Sequence, residues 1–272
     1  MVVICIAAGW VAGIVADRRL LGGRGATGGR RDRTGLTDAV AFIGGAFGII
    51  LGLLLVFAVQ HFADTRELAR QEASSSVALF NAVSPFPEED RREIRRSTIC
   101  YMRAVADDDW EASRNADLTG SENTAAWSGR IQRRVDSVPL DTEVRKSTHY
   151  FLVENSLQLD AERTIRLQLA LPEIPVAIWL VIFICAFAFI TLMTIHLGPR
   201  RRLRIITNVT SGAVLVAIVA SLASLDEPYT GSTATVTPIA MESALLSLQD
   251  AHPAEDWSPC PRLAEDAVET VG

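Results

Sequence analysis

The sequence predicts an all-α integral membrane protein: four transmembrane helices in two hairpins, with a helical-bundle insertion outside the membrane between spans two and three. Three observations predict it. Four apolar runs, 2–16, 39–61, 174–197 and 205–225, contain no Asp, Glu, Lys or Arg, and such runs with charged flanks read as spans. Arginines crowd the two short loops between paired runs: six between Asp17 and Asp38, four between Gly198 and Arg204. No stretch alternates apolar and polar residues as a half-buried strand would.

The first span is the shortest. From Met1 to Ala16 it offers about 24 Å, less than the ~30 Å hydrocarbon core. Local thinning of the bilayer or a start further upstream accommodates it, and a cleaved signal peptide fits poorly without a basic leading region. Span two is the organising stretch. Gly44, Gly48 and Gly52 fall four apart, so they share one helix face and permit close helix approach in lipid. Gly9 and Gly13 repeat that spacing in span one, which suits packing of the two glycine faces on each other.

Short arginine-rich loops stay in the cytoplasm. Both short loops obey this together, which places the N-terminus, the long middle region and the C-terminus outside the cell membrane. The net charge of −6 hides this regional pattern. The arginines lie beside spans and are not interleaved with aromatic residues, which argues against nucleic-acid binding.

Beyond His61 the helical pattern continues until Ser84-Pro85-Phe86-Pro87 stops it. Glu88, Glu89 and Asp90 then complement the start of a new helix, whose apolar stripe is Ile94, Ile99, Met102 and Val105. It ends near Asp107-Asp108-Asp109-Trp110. Consecutive acids on a helix diverge, and the calcium-loop spacing is absent, so a solvated helix end is the expected reading there. A short helix carries Trp127, Ile131 and Val135. Asp141 or Thr142 caps the next, which runs from about Glu143 to Leu171 with Val144, Phe151, Leu157, Ile165 and Leu169 as its expected buried side. Pro172 and Pro175 precede span three, and Trp179 suits the membrane interface. Asn208, Thr210, Ser211, Ser221 and Ser224 in span four can hydrogen-bond across helices. The expected divisions are therefore a first hairpin (1–61), an outer bundle (62–173), a second hairpin (174–225), a membrane-proximal segment (226–250) with a short amphipathic helix, and a disordered acidic tail (251–272).

One scattered pattern adds to this. Glu72-Ala73, Tyr101, Trp110, Arg163 with Arg166, Pro175 with Trp179, and then Asp226, Pro228, Gly231 and Pro238 follow in order. From Asp38 to about Leu248 this resembles the bacterial bestrophin-like membrane proteins. Asp109 stands before Trp110 where that pattern has Glu, and Tyr229 where Phe is usual. The resemblance implies similarity to bestrophins, which are oligomeric anion channels.

No catalytic motif is present, no span carries a carboxylate for a proton relay, and neither a metal site nor a cofactor is expected. His61 and His196 stand at opposite ends of their spans and read as interfacial packing. Arg163 and Arg166 lie one turn apart near the outer mouth of span three. They read either as salt bridges to Asp160, Glu162 or Glu67, or as a ring that attracts anions to an oligomeric pore. Of the four cysteines, Cys5 and Cys185 fall within spans. Cys100 and Cys260 fall outside, where disulfides are permitted. A bridge between them and a buried Cys100 with a free tail thiol both fit. Two function classes remain: a homo-oligomeric channel for anions in the lipid bilayer, and a non-transporting protein whose outer bundle binds a partner or senses the envelope. An enzyme is not expected.

Overall fold

The computed structural model describes residues 2–18, 29–197, 201–230, 234–253, 255, 257 and 259–263. They form α1 (Val2–Ala16), α2 (Gly29–Ala82), α3 (Glu88–Ala104), a π-helical turn (Val105–Asp109), α4 (Trp110–Arg114), α5 (Glu122–Asp136), α6 (Glu143–Gln168), α7 (Val176–His196), α8 (Arg201–Asp226) and α9 (Ile239–Ala251). The described residues are helical, turn or irregular, with no strand. Most of the first arginine-rich loop, residues 198–200, Gly231 and residues 264–272 lie outside the described residues. The chain divides into two compact units, Met1–Gln60 with Pro172–Asp226 and His61–Leu171 with Glu227–Gly272.

The first unit holds the apolar helices. Three described helices, α2, α7 and α8, are long and apolar enough to cross a membrane, and α1 is a shorter apolar helix. Phe47, Leu51, Ile182, Ile190, Leu215 and Leu222 form its core. The expected pairing of the two glycine faces is corrected here. Gly9 and Gly13 lie against α7, not α2: a Cβ at Gly9 would stand 3.0 Å from the Phe187 carbonyl oxygen, and one at Gly13 would stand 2.6 Å from Thr194 Cβ. Thr191 Oγ1 donates to the Gly9 carbonyl at 3.1 Å across the same contact. Gly44 faces the Phe189 ring, while Gly48 and Gly52 meet open space. Their spacing permits close approach, but none of the described residues comes within 4 Å of a Cβ there. Asn208 in α8 donates to Thr194 Oγ1 at 2.8 Å, a buried polar link between α7 and α8. The Asp226 carboxylate accepts from the backbone N–H groups of Glu173 and Ile174 at 3.0 and 2.9 Å, which fixes the proline-broken entry to α7.

The second unit is a helical bundle. Ser121 caps α5 by accepting from the Thr124 N–H, and Thr142 caps α6 by accepting from the Arg145 N–H. Leu79, Phe80, Ile94, Ile99, Trp127 and Leu152 are among its buried core. The expected buried side of α6 is wrong. Val144, Phe151, Leu157 and Ile165 are exposed, and the inward side carries Leu152, Asn155, Leu159, Glu162, Arg163, Arg166 and Leu167. The core that α6 meets contains ion pairs, so its inward stripe is polar and apolar by turns.

The short helix expected at residues 239–248 is present as α9, while the expectation for the tail beyond it is corrected. Met241, Leu245 and Leu248 of α9 are buried in the bundle core. The tail was expected to be disordered from residue 251, yet its described part is packed. Trp257 is 5% exposed and meets the Phe80 ring edge-on at 5.5 Å. Arg96 donates to the Pro259 carbonyl at 3.0 Å, and Arg95 pairs with Glu255 at 3.2 Å. One tryptophan and a set of arginine partners on α3 supply the order that the tail's own composition lacks. Cys100 and Cys260 are joined as a disulfide, with Cα atoms 5.4 Å apart, and Cys5 and Cys185 are free. Denatured, unreduced protein should therefore take up two maleimides per chain, and four after reduction. Four without reduction would contradict the bridge.

Candidate functional site

The bundle buries two arginines and two carboxylates in one cluster. Glu72 comes from α2, Tyr101 from α3, Asp109 from the π-helical turn, and Arg163 and Arg166 from α6. Glu72, Tyr101, Asp109 and Arg166 are 0% exposed, and Arg163 is 7% exposed. Arg163 grips Asp109 with two bonds, Nε to Oδ2 at 2.7 Å and Nη2 to Oδ1 at 3.0 Å. Arg166 Nη2 reaches the same Asp109 Oδ2 at 2.9 Å, while its Nε donates to Glu72 Oε2. Its Nη1 donates to Ser113 Oγ at 3.1 Å. Tyr101 Oη donates to Glu72 Oε1 at 2.7 Å. The Arg166 guanidinium also lies 5.0 Å from the centroid of the Trp110 ring, and that indole donates to the Val236 carbonyl at 3.2 Å. Tyr229 also meets the Trp110 ring edge-on, at 5.6 Å.

Local backbone features aim these groups. The π-helical turn adds a residue to the helical path, and Asp109 at its end points inward. Gly120 has φ +66°, and a Cβ there would strike Arg163 Nη2 and Leu167 Cδ1. Only glycine lets the loop close over the ion pair. The following Ser121 N–H then donates to Asp109 Oδ1 at 2.7 Å.

Charge within the cluster balances, two positive against two negative, which is what burial demands. Burial alone would raise the Asp109 carboxyl. The hydrogen bonds from Arg163 and the charges of Arg166 and Arg163 outweigh it and hold Asp109 below the usual carboxylate range. Burial alone would lower Arg166, but the charge of Glu72 leads the opposing effects and its pKa is raised. Burial pushes Tyr229 up to about 12, and burial with the adjacent Glu72 pushes Tyr101 well up. The acid prediction follows. The stability due to Asp109 is complete above its unfolded pKa of about 3.9 and is lost as pH falls through the lower folded-state value. Thermal melts of the full chain should hold steady as pH falls to about 4 and drop below it; a fall well above that pH would contradict this.

The anion-attracting role expected for Arg163 and Arg166 is corrected by their burial: both guanidiniums are spent on carboxylates. The ion-pair reading has the right chemistry and the wrong partners. Glu162 instead accepts from Gln158 at 2.8 Å, and burial raises its pKa. Glu67 serves Arg70 and Gln71. The three consecutive aspartates diverge, but the helix end expected to be solvated is not: Asp107 is exposed, Asp108 half-buried and Asp109 buried. Asp109 turns into the cluster, while Asp108 accepts from Asn123 Nδ2 at 2.7 Å. Glu72, Tyr101, Trp110, Arg163 and Arg166, scattered in the sequence, are brought together. Asp109 carries as much of the cluster as any of them; its sequence signals were a place in an acidic triplet and the family-like pattern's acidic position before Trp110.

Among curated proteins none matches the chain. Two crystal structures of a bacterial bestrophin homologue from Klebsiella pneumoniae match its fold, each with a TM-score of 0.65. One is 15% and the other 14% identical, and both matches cover 92% of this chain and 98% of theirs. A crystal structure described as a membrane protein matches at 14% identity and TM-score 0.65, covering 92% of this chain and 97% of its own. The bestrophin-like domain model matches residues 5–240. The chain belongs to the bestrophin-like domain family.

Proposed function

We propose that the chain is one subunit of a homo-oligomeric membrane protein that conducts anions, with four spans and its bundle on the outer side of the cell membrane. The observation that carries this is the family match over residues 5–240, with a shared fold along 92% of the chain. Three spanning helices and one short one are too few to enclose a pore alone, so conduction requires several copies. The bound arginines of the bundle core are scaffold in this reading, and the permeation path lies elsewhere.

The outward orientation rests on the two arginine-rich loops and on the Cys100–Cys260 bridge, which suits an oxidising compartment. A periplasm-active reporter fused after Leu118 should be active and one after Gly28 silent; the reverse would overturn the orientation.

Conduction is tested with the purified chain in planar bilayers. Anion-selective current is the expected result. Ion-tight oligomers would favour the other function class, in which the outer bundle binds a partner or senses the envelope.

A further inference from the structure

A groove on the bundle lies outside the charged cluster. It runs between residues 62–77 of α2 and residues 234–244, with a volume of about 850 Å³, within the usual range for a small-ligand pocket. Ala69 and Ala73 line it and are buried, so they form its floor. Arg66, Arg70, Ser74, Thr237 and Ser243 line it and are exposed, so they form its rim. Small apolar side chains below and cationic and hydroxyl groups above suit an amphipathic anion.

The two rim arginines stand one turn apart on α2. Arg70 Nη1 lies 3.5 Å from Glu67 Oε2 in a solvent-exposed pair, a kind that contributes little. Arg66 has no carboxylate partner among the described residues, and its guanidinium lies 5.8 Å from the Phe62 ring centroid. No Asp or Glu is among the described residues that line the groove. Its wall therefore offers nothing that repels an anion and nothing that holds a cationic headgroup.

The sequence places these arginines at the membrane surface. The second apolar run ends at His61, and Arg66 follows five residues later on the same helix, about 7.5 Å along its axis. The headgroup layer adds roughly 5–8 Å to each side of the hydrocarbon core. Arg66 thus stands at the depth of lipid phosphates, with Arg70 about one turn beyond it.

We infer that this groove binds the headgroup of an anionic phospholipid. Arg66 and Arg70 donate to the phosphate, whose oxygens match the paired N–H groups of a guanidinium. The rim hydroxyls of Ser74, Thr237 and Ser243 serve an uncharged, hydroxyl-bearing headgroup such as glycerol. The inference needs residues 39–61 to cross the membrane. It does not depend on anion conduction or on which side the bundle faces.

The test compares phosphatidylglycerol with phosphatidylcholine on the full chain, delipidated in mild detergent, by native mass spectrometry and by melting. Phosphatidylglycerol should stay bound and raise the melting temperature, and phosphatidylcholine should do neither. Arg66→Gln and Arg70→Gln should each weaken phosphatidylglycerol binding about fivefold, the usual effect of one juxtamembrane arginine. Ser243→Trp fills the groove from its rim and should abolish binding with both arginines intact. All three positions are exposed, so melting without lipid should stay at the wild-type value. Equal binding of both lipids, or phosphatidylglycerol binding indifferent to Ser243→Trp, would overturn the site and leave only adsorption to a charged surface. An equal melting shift from soluble glycerol phosphate would overturn the lipid as its occupant.

Discussion

Replacing Arg166 with Gln should destabilise the bundle by about 3–5 kcal/mol, the usual result of removing one partner from a buried ion pair. Arg166 is fully buried and touches Glu72, Asp109, Ser113 and Trp110. Gln leaves Glu72 without its counter-charge and Asp109 with Arg163 alone. Because domains are stable by only about 5–15 kcal/mol, much of the purified protein should be unfolded or aggregated. Arg166→Lys should not rescue it, since an ammonium gathers its donors on one nitrogen and cannot span the partners that Arg166 reaches from three. The exposed Arg92–Glu88 pair is the control: Arg92→Gln should leave the melt where it is. A wild-type melt for Arg166→Gln, read by circular dichroism, would remove the cluster's structural role.

Gly13→Leu should be the most damaging single change in the membrane unit. The new Cβ alone would overlap Thr194 and crowd the Thr191 carbonyl, so the two helix backbones must separate. Overpacking of this kind costs about 1–3 kcal/mol, and in lipid no hydrophobic drive pulls the helices back together. The Thr191 bond to the Gly9 carbonyl should be lost with it. Gly52→Ala, which meets open space, should leave the fold of a single chain unchanged. Melting in detergent and protease access to α1 read both variants. Equal tolerance at Gly13 and Gly52 would show that α1 does not rest on α7.

The membrane helices were legible because lipid imposes one rule on every residue of a span, and runs without charge record it directly. Some of the bundle's helix ends were legible for a similar local reason: Pro87 and Thr142 act on their own neighbours. What glycine spacing cannot record is which helix is approached, and α7 took α1 where the ladder on α2 was the expected site. Hydrophobicity also misplaced the inner face of α6. Its apolar residues Val144, Leu157 and Ile165 face out, and Arg163 and Arg166 face in, because carboxylates from α2 and the π-helical turn neutralise them. Those carboxylates are remote in sequence, 94 and 57 residues away, so no window of the chain reveals the pairing. The family-like pattern did mark most of these residues without saying what they do. The tail's order was hidden for the same reason, since its partners lie on α3.

The central structural claim is that the paired arginines hold the bundle together and do not gather anions. A double-mutant cycle between Arg166 and Glu72, using Arg166→Met and Glu72→Leu, measures it most directly. Each single change strands a buried charge, whereas the double change leaves Asp109 with Arg163 and no net charge. The double variant should therefore melt well above the sum of the singles, by a coupling of roughly 2–3 kcal/mol that salt does not screen, because the pair is out of water. Additive losses that shrink as salt is added would contradict the claim.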